Sequence, residues 1–221
     1  MTTHEIRGSI NAGTKGLVDM WAKASEDERT LLGEMHVHYE GEIRRMLDAH
    51  PHEAYNVAHS LHGEIDASVA QTLATENGQR VRCRRGCAAC CHLHVSVTDA
   101  EAQLLLAGIE NEGLRVNWDK ARRQASRRLA DWGEQPLQER RCIFLAHDDS
   151  CSAYEYRPAA CRKYLVMSDP RRCDTARYPG GEVAVVAPVV GEVVHSAMLG
   201  AMKAGSLPRM LLQAKEDLNH A

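Results

Sequence analysis

Eight cysteines, Cys83, Cys87, Cys90, Cys91, Cys142, Cys151, Cys161 and Cys173, fall within one stretch of a 221-residue chain. The first four form the run Cys83-Arg-Arg-Gly-Cys87-Ala-Ala-Cys90-Cys91. Small residues between the thiols let the backbone curl, and Gly86 can take a positive φ without steric cost. Neighbouring Cys90 and Cys91 are expected to point apart, as they would in any regular backbone, and so to serve two irons of one cluster or two sites. The remaining cysteines are more dispersed. The turn-rich segment 145–150 between Cys142 and Cys151 is expected to fold both thiols back toward one point. Pro158 fixes the approach to Cys161. Thiolates are soft ligands that select zinc, copper(I) or iron–sulfur clusters over magnesium or calcium. The favoured reading of this donor set is an iron–sulfur cluster, with 4Fe-4S as one form. The alternative is zinc, in a four-thiolate site that staples an irregular segment together.

Charge gathers where the cysteines are. Residues 1–78 carry 6 basic and 13 acidic side chains, residues 79–173 carry 17 and 12, and residues 174–221 carry 4 and 5, which sum to the net charge of −3. So small a total implies no polyanionic partner for the whole chain. No apolar run reaches the roughly 18 residues of a membrane-spanning helix. Met1 to Gly16 lacks the apolar core of a secretory leader, so a cytoplasmic protein is expected. In a reducing compartment a dense cysteine pattern points to metal or redox chemistry rather than a disulfide framework.

The elements that must position these thiols read as helices. With 44% hydrophobic but only 5% aromatic residues, and Phe144 the sole phenylalanine, the core is filled mainly by Leu, Val, Ala and Met. Ser25 and Glu28 form a capping-box pattern ahead of Leu32, Met35, Tyr39, Ile43 and Met46 at helical spacing. A second helix follows Pro51 through Val57, Leu61, Ile65, Val69 and Leu73, with Gly78 as its stop. Thr98 and Glu101 form another capping box before Leu104, Leu105 and Ile109. A helix is predicted over Trp118–Trp132, with Ala121, Ala125 and Leu129 on one face. The stretch 183–190 reads equally as a short strand or as the lead into a helix that starts near Pro188 and ends at Gly205. A last helix covers Pro208–Leu218. The expected fold is mainly α, an irregular cysteine-rich metal-binding core flanked by N- and C-terminal helices. Its divisions are 1–78, 79–175 and 176–221, the last packing on the core.

The motifs resemble the YkgJ-type cysteine-cluster family, to which zinc or iron chelation is ascribed. They are Cys87-Ala-Ala-Cys90-Cys91, Thr98-Asp99-Ala-Glu101, Cys142-Ile-Phe144-Leu145 and Cys151-Ser-Ala-Tyr154-Glu-Tyr156-Arg157-Pro158-Ala-Ala-Cys161-Arg162. The resemblance covers about residues 80–175. It implies that Cys83, Cys87, Cys90, Cys91, Cys142, Cys151 and Cys161 are metal ligands. Cys173 lies outside the common pattern, and three residues separate Cys83 from Cys87 where the family usually has two. Flagellin lysine methylases look similar in this pattern, which by itself does not carry methyl transfer across.

Other residues enter as secondary candidates. Arg157 and Arg162, with Arg82, Arg84 and Arg85, surround the thiols in sequence and would balance the negative charge of a thiolate-bound cluster. His92 and His94 follow the cysteine pair and are candidate ligands or supporting donors. His59 and His62, one helical turn apart, would either share a metal with Glu64 or lie on a solvated face. Cys83-x3-Cys87-x2-Cys90 matches the spacing of radical S-adenosylmethionine enzymes, but Ala89 replaces their usual aromatic residue. The run Lys120, Arg122, Arg123, Arg127, Arg128 has no interleaved aromatics and reads as a solvated helix face, so no nucleic acid is expected. The expected function is iron–sulfur binding for electron transfer, sensing or cluster handling, with a protein or redox partner and no membrane. The alternatives are a zinc-stabilised scaffold module or a metalloenzyme, redox or methyl-transfer in type, with an open coordination position.

Overall fold

The computed structural model describes residues 15–174, 177–178 and 182–220. Residues 1–14, read above for a secretory leader, lie outside them. The described residues are mostly helical, with α1 (Lys15–Lys23), α2 (Glu26–Ala49), α3 (Ala54–Leu73), β1 (Ser96–Thr98), α4 (Asp99–Glu112), α5 (Trp118–Ala125), α6 (Leu137–Arg140), α7 (Ala159–Arg162), β2 (Leu165–Val166), β3 (Val185–Val186), α8 (Val189–Ala201), β4 (Ala204–Ser206) and α9 (Leu207–Asn219). No described helix is long and apolar enough to cross a membrane.

Both predicted capping boxes form. In each, the hydroxyl accepts from the amide three residues on, and the glutamate reaches back to the cap amide: Ser25 with Glu28 at α2, Thr98 with Glu101 at α4. Each box satisfies amide donors that a helix start leaves without an intrahelical partner. Helix α3 stops at Leu73, earlier than Gly78 suggested. Gly78 instead lies against that helix end, where a Cβ would fall 2.0 Å from the Thr72 carbonyl oxygen.

The helix predicted over Trp118–Trp132 breaks in two. α5 ends at Ala125, Arg128 is extended, and a 3-10 turn spans Leu129–Glu134. Leu129, expected on the buried face, is 65% exposed, so nothing rewards continuing the helix past it. The ambiguous stretch 183–190 resolves as both readings in succession. Val185 and Val186 pair with Val166 and Leu165, and α8 begins at Val189. Gly205 does not end α8, which stops at Ala201. It lies in β4, antiparallel to β1 with Gly205 opposite Val97.

Two apolar cores share α4. On one side Ala100 and Leu104 join Ile43 of α2, Leu61 and Ile65 of α3, and Val194 and Met198 of α8. On the other, Ala102, Leu105 and Leu106 join Ala121 of α5, Leu211 and Ala214 of α9, and Ile143 and Phe144. Cys142 and Cys151 pack against this second core. The bundle thus forms one wall of the cysteine-rich region rather than a separate body beside it.

Where α3, α4, α7 and α8 meet, the first core holds a buried polar network. Glu101 accepts from the Ala159 amide (2.7 Å) and the Thr98 amide (2.8 Å), and its carboxylate lies 3.1 Å from His62 Nε2. Lys163, just past α7, pairs with Glu192 of α8 at 2.7 Å. His195 is buried between these groups with no hydrogen-bond partner for either ring nitrogen. On α2, His36 Nε2 meets Ser196 Oγ at 3.1 Å. His59 and His62 therefore share no site, since His59 is exposed while His62 faces inward.

Candidate metal centre

Each cysteine is delivered by a short local device. Before the cluster run, the Arg82 amide donates to the Val166 carbonyl and the Val166 amide to Cys83 Sγ (3.2 Å), which fixes Cys83 beside β2. Gly86, at φ +83, turns the chain so that the Cys87 amide meets the Arg84 carbonyl. The next two turns are closed by the Cys91 amide on the Ala88 carbonyl (2.9 Å) and the Leu93 amide on the Cys90 carbonyl (3.0 Å). The Cys142 amide then bonds the Cys91 carbonyl at 2.7 Å, which ties the second group of cysteines to the first.

The segment 145–150 does fold back. Leu145 bridges Cys151, the Ala146 amide meets the Ser150 carbonyl, and the Asp148 carboxylate accepts from the Ser150 amide. Asp149 adopts φ +63 at the tip and pairs with Arg141. Pro158 caps the single turn of α7 and accepts from the Cys161 amide at 2.8 Å. Cys173 ends a 3-10 turn begun by Pro170.

All eight cysteines border one cavity of about 310 Å³. None is in a disulfide, Cys173 is buried, and Cys83 is exposed. Cys142 and Cys161 are partly buried and border the same cavity. Among the described residues, no group of three or more Cys, His, Asp or Glu side chains is already drawn together in the way that holds one ion.

Cys90 and Cys91 do not diverge as expected. Their consecutive turns replace the regular backbone that would separate them, and their side chains hydrogen-bond to each other. That bond, with help from Arg157, brings the Cys90 thiol down to about 7, and the same bond pushes Cys91 up. Burial and neighbouring thiols push Cys142 up to about 11, Cys173 up to about 12 and Cys161 well above its usual range. Burying many thiols together disfavours their anions, and a bound cation would supply the opposite charge that favours them.

The influences between thiols fall into two sets. Cys173 feels Cys83 and Cys87, whereas Cys161 feels Cys142 and Cys151. Cys90 acts on both sets.

The two arginines singled out from the sequence have different employment. The Arg157 guanidinium lies 3.8 Å from the centre of the Tyr154 ring and favours the thiolate at Cys90, Cys151 and Cys161. Arg162 spends its nitrogens on Asp66 (2.5 Å), the Arg157 carbonyl (2.6 Å) and the Glu155 carbonyl, so it ties α7 to α3. His94 borders the cavity edge-on to Trp132, their ring centres 5.5 Å apart. His92 is buried just behind, and its carbonyl accepts from the Trp132 indole at 3.0 Å. Sequence reading missed Arg140, which is 8% exposed and borders the cavity. Nothing in the dipeptide Arg140-Arg141 says which guanidinium turns inward; the end of α6 decides it.

Fold and site together define a helical protein that carries a thiol-lined metal-binding segment. Residues 82–178 match the model of the CxxCxxCC family, described as a "Putative zinc- or iron-chelating domain". No curated protein and no solved structure matches the chain. The donor set fits a thiophilic metal: soft sulfur ligands throughout, with cationic Arg157 against the most acidic thiol.

Proposed function

We propose that this chain is an iron–sulfur protein acting in electron transfer, sensing or cluster handling. The observation that carries this reading is that eight cysteines border one cavity of about 310 Å³. A tetrahedral zinc ion, with bonds of about 2.3 Å, uses four thiolates and leaves no such space. A polynuclear cluster would engage more of the thiols and fill part of the cavity. Cys83, Cys87 and Cys173 would serve one end and Cys142, Cys151 and Cys161 the other, with Cys90 and Cys91 between them. A bound cluster would supply one-electron chemistry, its potential set by nearby charge and burial.

The chain's own residues then do three things. Arg157 offsets the negative charge of the thiolates. The bundle wall keeps water from Cys142 and Cys161. Cys83, the exposed cysteine, marks the side where a redox partner would approach. A cytoplasmic setting would keep these thiols reduced and free for metal. Residues 1–78, 79–175 and 176–221 would serve as bundle half, metal domain and closing helices.

Protein purified without oxygen is expected to be brown and to contain iron and acid-labile sulfide in stoichiometric amounts. A colourless protein with stoichiometric zinc and no sulfide overturns the reading. Cys90→Ser and Cys161→Ser should each lose metal and melt lower, because metal binding and folding are coupled. Full metal content and an unchanged Tm in both variants would refute the ligand assignment.

A further inference from the structure

Arg140 is the most buried of the charged groups that line the cavity. It is 8% exposed, and its Nε is buried without a hydrogen-bond partner. Among the described residues it forms no ion pair, whereas Arg141 next to it pairs with Asp149, Arg123 pairs with Glu139, and Arg162 pairs with Asp66. Leaving a buried guanidinium nitrogen without a partner is costly, because it has lost water and gained no hydrogen bond in return. The chain tolerates that cost at a position bordering a cavity.

The surroundings narrow what would answer it. Gln124 gives its amide nitrogen to the Glu139 and Arg141 carbonyls (2.6 and 2.9 Å), which holds the chain on either side of Arg140. Trp132 and His94 border the same cavity, with Leu93, Leu207 and Pro208. A buried guanidinium in a cavity also lined by aromatic and aliphatic side chains suits a planar anion on an apolar body. Arginine matches carboxylate geometry through two parallel N–H donors.

We infer that the cavity holds, beside the metal centre, a binding site for a small organic carboxylate, with Arg140 pairing its carboxylate and Trp132 and His94 flanking its apolar part. This deepens the metal-centre reading, since the thiols form the rest of the same cavity. A carboxylate so held lies within the cavity whose wall the cysteines supply. The protein then recognises a small molecule at its metal domain rather than carrying charge alone.

The test uses metal-replete full-length protein and calorimetric titration with phenylacetate, its neutral analogue phenylacetamide, and inorganic phosphate. Phenylacetate should bind saturably, phenylacetamide about ten- to a hundredfold more weakly, and phosphate no better than the amide. Arg140→Gln should lose the preference for phenylacetate, and Arg140→Lys should keep part of it. Arg128→Gln, an exposed guanidinium, should change nothing. Metal content and visible spectrum are measured on every variant.

Equal binding of phenylacetate and phenylacetamide by the unaltered protein overturns the proposal, and needs no variant to fold. So does an absence of saturable heat at millimolar concentration. A changed visible spectrum in Arg140→Gln without carboxylate binding by the parent assigns the guanidinium to the metal centre and also overturns it. If the protein proves to hold zinc yet discriminates the two probes through Arg140, the site stands and the iron–sulfur reading falls. If iron and sulfide are present and no probe binds, the reverse holds.

Discussion

Two buried polar regions lie within this molecule, and they are built on opposite terms. The network between α3, α4, α7 and α8 is closed around its carboxylates, while the ring nitrogens of His195 inside it have no hydrogen-bond partner. Glu101 collects the Thr98 and Ala159 amides, the Thr98 hydroxyl and His62, while Lys163 meets Glu192. Those bonds offset its burial and hold its carboxyl down at about 2. The thiol cavity is left open in the same sense. Its cysteines raise one another, and the buried Arg140 Nε has no hydrogen-bond partner among the described residues. The bonds to the Glu101 carboxylate hold elements together, whereas buried thiols that disfavour one another's charge favour a bound cation. The two regions meet at α7, where Ala159 serves the network and Cys161 the cavity.

The largest expected effect separates the regions by metal removal. Stripping metal with a chelator should expose the backbone amides of 82–92 and 142–173 to hydrogen exchange, because ligand binding stabilises only what it touches. Amides of α2, α3 and α8 should stay protected. Uniform loss across both sets would show that bundle and metal domain unfold as one unit, and the comparison would break.

Next comes Glu101→Ala. It leaves the Thr98 and Ala159 amides and His62 without their acceptor, at a cost of about 3–5 kcal/mol by urea unfolding. Metal per folded molecule should be unchanged. If metal is lost while stability holds, the network belongs to the centre rather than to the frame.

The pH dependence should separate the regions too. Burial lowers His195 to about 4, so the folded protein keeps the ring neutral. The stability tied to this is whole above the ordinary imidazole value of about 6.5 and is lost as pH falls toward 4, on the order of 3 kcal/mol in all. Glu101, lowered to about 2, adds a further loss only below about pH 4.5. Unfolding midpoints at pH 7 and pH 5 should differ for the parent and differ less for His195→Gln. An equal slope in both would assign the acid sensitivity elsewhere.

The smallest effect lies at Arg157. In demetallated protein at pH 7, Cys90 should alkylate faster than Cys161, since its thiol lies near 7 and that of Cys161 well above its usual range. Arg157→Gln should slow Cys90 labelling several-fold at most, because Cys91 is the larger cause of its acidity. A loss of the difference between the two cysteines would remove Cys90 from its place between the two sets of thiols.

Local chemistry alone determined a good part of this. The two capping boxes, the helical periodicities of α2, α3 and α4, the turn at Gly86 and the return of 145–150 all depend on residues within one turn or loop of each other. The cysteine motifs, which match the family over 82–178, are equally local. Tertiary structure decided what depends on the far side of a contact. It broke the predicted helix at Ala125, where Leu129 finds no core, and turned Gly205 from a helix stop into a strand partner of Val97. It set His62 against Glu101 rather than His59, gave Arg162 to Asp66, and left Arg140 facing the cavity alone. A capping box or a turn is closed by neighbours in the chain, so its sequence states it. A side chain's partner or orphanhood depends on which distant residues the fold brings opposite, and only the packed structure holds that.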